Sequence, residues 1–139
     1  MNNSNNQLTI KNQPADILTM AEWLRVVFNQ NNLPTDLLYK FDLCANEAVT
    51  NIISYAFDDT VEHKITLNFS ENDSNVSLKI IDYGKPFNPL EKTPHLQPKT
   101  VEDASIGGLG IDLIRHYMDA CCYRRKDDKN VLTIIFAKV

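Results

Sequence analysis

Along the chain, hydrophobic positions change period several times, and each change marks an element. From Gln7 to Asn12, Leu8 and Ile10 alternate with polar neighbours, the period of a half-buried strand. Pro14 then opens a helix, because proline costs little at an early helical position. Ile17, Met20, Ala21, Leu24, Val27 and Phe28 recur at helical spacing until the polar run Asn29-Gln30-Asn31-Asn32. Pro34-Thr35-Asp36 starts a longer helix, reaching about Ala56, whose apolar stripe includes Leu37, Phe41, Cys44, Ala45, Ala48 and Ile52. The pattern reverts to alternation at Lys64–Phe69 and again at Val76–Ile81, and Glu71-Asn72-Asp73-Ser74 between them has turn chemistry, which predicts an antiparallel hairpin.

The stretch 84–106 has little periodicity and carries Pro86, Pro89, Pro94 and Pro98. Connections longer than about 12–15 residues are uncommon in compact domains unless they serve a function, so this one is expected to be a lid over a ligand. Gly107 to Asp119 predicts a third helix. Ala120–Arg125 and Val131–Ala137 predict a closing hairpin around Asp127-Asp128-Lys129-Asn130. The order β-α-α-β-β-lid-α-β-β points to an α+β fold. The expected form is a two-layer α/β sandwich, with a mixed, mostly antiparallel sheet and three main helices on one face.

The length of 139 residues suits one core. Residues 1–7 are expected to be a flexible N-terminus and 8–139 a single domain, with the lid at about 84–106. A formal net charge of -4 argues against a nucleic-acid partner. Arg124-Arg125-Lys126 is followed at once by Asp127-Asp128 and reads as a solvated hairpin end. No apolar run approaches the ~20 residues of a membrane helix, and Met1–Gln7 lacks the pattern of a secretion signal, so a cytoplasmic protein is expected. Cys44, Cys121 and Cys122 have apolar neighbours and no C-x-x-C spacing, which predicts free buried thiols. His63, His95 and His116 lack the spacing of a metal site.

Three short polar motifs interrupt this framework. Glu47 and Asn51 lie four residues apart, and on a helix that spacing stacks them one turn apart on one face. A carboxamide oxygen suits a hard cation such as Mg²⁺, and a carboxylate one turn away suits a general base. Asp82 directly follows the apolar end of a strand, where it can accept a hydrogen bond from an adenine amino group. Gly84 would let backbone pass close to the base. Of the four glycines in the chain, Gly107, Gly108 and Gly110 fall together at a helix start, where bare backbone N–H groups favour phosphate. The run fits neither G-x-x-x-x-G-K-[ST] nor G-x-G-x-x-G. Thr133, on the last strand, is a candidate hydroxyl near the base. Each motif alone has a bland reading as a solvated pair or a turn. Their conjunction points to an ATP site.

These motifs resemble the N, G1 and G2 boxes of the GHKL superfamily of gyrase, Hsp90, histidine kinase and MutL ATPases. Asn46-Glu47-Ala48-Val49-Thr50-Asn51 and the helix pair most resemble its bacterial anti-sigma factor serine/threonine kinases. The likeness runs from about Leu8 to Val139. It implies a Bergerat ATP fold, with Glu47 as base, Asn51 as Mg²⁺ ligand, Asp82 as adenine reader and Gly107, Gly108 and Gly110 as phosphate cradle. It also implies a homodimer that binds a sigma factor and phosphorylates a serine or threonine of a STAS-domain antagonist, using ATP and Mg²⁺. Other branches fit less well: gyrase, Hsp90 and MutL proteins carry additional domains, and histidine kinases usually have Asn where Glu47 stands.

The chain departs from that pattern in two places. Family members often carry Arg just before the lid glycines, where this chain has Ser105-Ile106, and the nearest upstream cation in the lid is Lys99. The second G1 glycine is replaced by Pro86-Phe87. The missing arginine motivates a second reading, a nucleotide-gated module that sequesters a partner without phosphotransfer. A plain ATP hydrolase ranks third, because a small open domain excludes water poorly.

Overall fold

The computed structural model describes residues 6–88 and 110–138. Eight elements occur in it: β1 (Gln7–Lys11), α1 (Ala15–Gln30), α2 (Thr35–Tyr55), β2 (Lys64–Glu71), β3 (Asn75–Asp82), α3 (Gly110–Tyr117), β4 (Ala120–Lys126) and β5 (Lys129–Ala137). The strands form one five-stranded sheet in the order β1-β2-β3-β5-β4. All four pairings are antiparallel, so the expected α+β class holds with a more uniform sheet than a mixed one.

Strand alternation gives the sheet one apolar face. Ile65, Leu67 and Phe69 of β2, Val76, Leu78 and Ile80 of β3, and Leu132 and Ile134 of β5 are buried and share a core with Met20, Leu24, Val27 and Phe28 of α1 and Phe41, Cys44, Ala45 and Ala48 of α2. Phe28 joins three elements: its ring centroid lies 5.5 Å from those of Phe41 and Phe69. The three helices therefore lie on one side of the sheet, and α2 runs across the middle of that layer between α1 and α3.

Local chemistry fixes the ends. The polar run after α1 forms a Schellman stop: Asn32 takes φ 55, Leu33 N donates to Phe28 O, and Asn32 N donates to Asn29 O. Pro34 is extended and releases the chain into α2. In the β2–β3 turn, Asn72 Oδ1 accepts from the backbone N–H groups of Ser74 and Asn75.

The closing hairpin is tighter than its sequence pattern suggests. Asp127 and Asp128 alone form the turn, both with positive φ (53 and 63), as a two-residue turn matched to strand twist requires. Lys129 and Asn130 consequently belong to β5. The expected burial of three thiols also needs correction: all three are free, but only Cys44 is buried, Cys121 is half-buried and Cys122 is exposed. Cys122 stands on the outer face of an edge strand, paired with Thr133.

Candidate nucleotide site

Between α2 and the far half of the sheet lies a small pocket. Ala48 and Ile52 form its helix wall, Ile80 and Leu132 its apolar floor, and Tyr123 and Phe87 its flanks. Two polar side chains enter this apolar surface, Asp82 and Asn130. Both are buried, at 2% and 4% exposure, and as register partners on β3 and β5 they stand side by side.

A carboxylate at such a depth needs compensation. Asp82 Oδ1 accepts hydrogen bonds from Gly84 N (2.9 Å) and Asn130 Nδ2 (2.9 Å). Burial raises its pKa above the usual carboxylate value, and these two bonds and the positive charge of Arg125 offset only part of that rise. Its other oxygen, Oδ2, makes no hydrogen bond among the described residues and remains available as an acceptor in the pocket it lines.

The chain after Asp82 is bound on both sides. Lys85 N donates to Ala56 O (2.9 Å) at the end of α2, and Arg125 donates to Gly84 O (2.7 Å). At Gly84 the structure shows a packing reason for glycine. Its missing side chain admits α2, because a Cβ there would lie 2.5 Å from Ala56 O. The Phe87 ring packs 5.9 Å from that of Tyr55.

Glu47 and Asn51 share the α2 face that borders Ala48 and Ile52 of the pocket wall. Glu47 is half-buried, and desolvation raises its pKa. Asn51 is 7% exposed, and its carboxamide makes no hydrogen bond among the described residues. No group of three His, Cys, Asp or Glu able to hold a metal occurs among those residues. Gly110 opens α3, which packs on α2, with Cys44 Sγ 3.7 Å from Leu113 O. That buried thiol is pushed up to about 12 by desolvation and by its neighbour Cys121. Gly107, Gly108 and nearly all of the expected lid lie outside the described residues.

One expected site residue is not brought to this group. On β5, Asn130, Leu132 and Ile134 turn toward the helices, so Thr133 faces the opposite side of the sheet beside Lys79 and Cys122. Conversely, the sequence reading missed Asn130 and Arg125 by assigning one to the turn and the other to a solvated end. Extending the alternation of Leu132 and Ile134 back by two residues would have found Asn130.

The histidine kinase-like ATPase domain matches residues 10–136, nearly the whole chain. The chain belongs to that family. It is 34% identical over 112 residues to a serine/threonine-protein kinase, BtrW, of Bordetella bronchiseptica, an alignment covering 81% of this chain and 79% of the relative. A serine-protein kinase, RsbW, of Bacillus velezensis is 28% identical over 81 residues, covering 55% of this chain and 51% of that protein. The histidine kinase domain of a blue-light activated histidine kinase from Erythrobacter litoralis has the same fold, with a TM-score of 0.55 at 14% identity. That likeness covers 88% of this chain and 59% of the other. No helix among the described residues is long and apolar enough to cross a membrane.

Proposed function

We propose that this protein binds ATP with Mg²⁺ and transfers the γ-phosphoryl group to a serine or threonine of a STAS-domain antagonist, as a cytoplasmic regulatory kinase that also binds a sigma factor. The observation that carries the reading is Asp82: a carboxylate buried in an apolar pocket, one oxygen held by Gly84 and Asn130, the other without a hydrogen bond among the described residues. That free acceptor suits the exocyclic amine of adenine and repels the carbonyl that guanine carries there. Asn51 would be the protein's ligand to Mg²⁺, with phosphate oxygens and water completing the shell, and the ion would neutralise charge on the phosphates. Glu47, on the same face, takes the proton of the acceptor hydroxyl. Desolvation favours this role by moving its pKa toward the working pH.

Gly107, Gly108 and Gly110 cradle the phosphates, and the stretch 84–106 acts as the lid. Phosphorylation adds about -1.5 to -2 charge to the antagonist and weakens its docking. The active form is a homodimer of a single domain that spans residues 8–139. Neither nucleic acid nor membrane is a partner, in keeping with a net charge of -4.

The test is incubation of the purified protein with labelled ATP, Mg²⁺ and a STAS-domain partner. Label should appear on a serine or threonine of the partner and disappear in Glu47→Gln. Undiminished transfer in that variant would refute the base assignment. No arginine occurs between Asp82 and Gly110, which favours a second reading: nucleotide-gated capture of the partner without transfer. A stoichiometric phosphoserine on the partner would exclude it.

A further inference from the structure

The most completely hydrogen-bonded side chain in the pocket has no part in the reading above. Asn130 Nδ2 donates to Asp82 Oδ1 (2.9 Å) and to Lys85 O (2.9 Å). Its Oδ1 accepts from Phe87 N (3.3 Å) and from the Tyr123 hydroxyl. Both donors and both lone pairs of the carboxamide are thereby used. The orientation of the amide is not arbitrary, because a backbone carbonyl can only accept and a backbone N–H can only donate. Lys85 O and Phe87 N thus dictate which end of the amide meets Asp82.

We propose that Asn130 is the positioning residue for base recognition: it holds Asp82 as a hydrogen-bond acceptor, with Oδ1 engaged and Oδ2 presented to the purine amine. This inference rests on the adenine role assigned to Asp82. Asn130 occupies one oxygen with a fixed donor, so the carboxylate cannot rotate freely. It also ties Lys85 and Phe87 to β5, so the chain that leaves Asp82 and the carboxylate itself share one anchor.

Among the described residues, charge around Asp82 is sparse. From β4, Arg125 supplies a positive charge and Tyr123 a phenol. The wall from α2 is Ala48 and Ile52, and the register partner on β2 is Ile65. Lys85, in the following segment, turns its ammonium to Asp58 (2.9 Å). A change at position 130 therefore has a readable electrostatic consequence. Asn130→Asp keeps the shape and the acceptor oxygen, but sets a second carboxyl against Asp82 and Lys85 O. Such a pair shares a proton at raised apparent pKa, and the shared proton restores the missing donor.

The experiment is calorimetric titration with ATP and with GTP, in Mg²⁺, from pH 5.5 to pH 8.5. Each variant is expressed as a ratio to the wild type at the same pH, so that titration of the nucleotide cancels. For Asn130→Asp, ATP affinity should fall about tenfold or more at pH 8.5 and recover to within about threefold at pH 5.5. A role confined to tethering the loop would give a loss independent of pH. The size-matched pair Asn130→Ser and Asn130→Ala, checked for folding by circular dichroism, removes dependence on the Asp variant. The serine hydroxyl can donate to Asp82, so Ser should bind ATP about threefold or more tighter than Ala, with preference over GTP reduced only in Ala. Equal affinities of folded Ser and Ala variants, or a pH-independent ratio for Asp, overturn the inference while ATP still binds to the wild type. A wild type with no affinity for ATP overturns the adenine pocket itself.

Discussion

The two ends of the α2 wall of the pocket are built in opposite ways. At the sheet end, Asp82, Gly84, Lys85, Phe87, Tyr123, Arg125 and Asn130 form one hydrogen-bonded cluster, anchored to Ala56 at the C-terminus of the helix. One turn and more toward the N-terminus, the side chains of Glu47 and Asn51 make no hydrogen bonds among the described residues; one is half-buried and the other buried. On the reading proposed above, the first end would recognise the base, and the second would meet the charge that the ligand brings.

If that division is right, chemistry and binding separate cleanly by mutation. The largest effect is expected for Glu47→Gln, which keeps size and removes the base. Phosphotransfer to the STAS-domain partner should fall by about a hundredfold to ten-thousandfold, as loss of a general base does. ATP affinity should stay within about twofold, measured by calorimetry on the same preparation. A parallel fall of both would merge the two ends and break the comparison.

Asp82→Asn should do the reverse. The new side chain can still accept from Gly84 and Asn130 through its oxygen, but its NH₂ then occupies the place of the free oxygen. A donor would face the donor of adenine, and ATP affinity should drop about a hundredfold, in line with discrimination by mispaired buried polar groups. Stability at neutral pH should not fall, because the substitution also removes a desolvated charge. A urea titration beside the binding measurement separates the two outcomes.

Gly84→Ala probes the hinge between the regions rather than either one. The added Cβ would meet Ala56 backbone at 2.5 Å, and neither the end of α2 nor Gly84, held through its N–H and carbonyl, can yield without breaking a bond. Overpacking of this kind costs about 1–3 kcal/mol, which denaturant unfolding would register. Loss of ATP affinity should follow in proportion to the displaced Asp82. Full stability would mean that the close approach relaxes without cost.

Why one end was easier to read from sequence follows from the same contrast. Glu47 and Asn51 are local: four residues on a helix place them on a shared face whatever the rest of the chain does. Asp82 was equally visible at the end of an alternating strand. The elements themselves followed from period, since one core face is buried throughout. Asn130 was hidden because its role depends on register across three strands and on whether the hairpin turn holds two residues or four. Asp-Asp with two positive φ values is a costly turn that composition alone disguises. Thr133 failed for the same reason, since shifting the parity of a strand by one moves a side chain through the sheet. At Gly84 a need for bare backbone is legible in the sequence, but its close neighbour Ala56 is not.

The smallest effect tests whether the unpartnered end carries a standing cost. Desolvation raises the pKa of Glu47 above 4.5, its ordinary value, in the folded protein. A raised acid pKa means the folded state holds the proton more tightly than the unfolded chain. The contribution to stability is therefore fully present below about pH 4.5 and is lost as pH rises through the folded pKa. At pH 8 the ionised carboxylate penalises the fold, and Glu47→Gln should be the more stable protein. Partial exposure screens the group, so the gain is expected to be no more than about 0.5 kcal/mol. The difference in urea midpoint between variant and wild type should shrink toward zero at pH 4.5. A gain that stays constant with pH would come from packing instead of charge, and Glu47 would then have no electrostatic cost for nucleotide and Mg²⁺ to relieve.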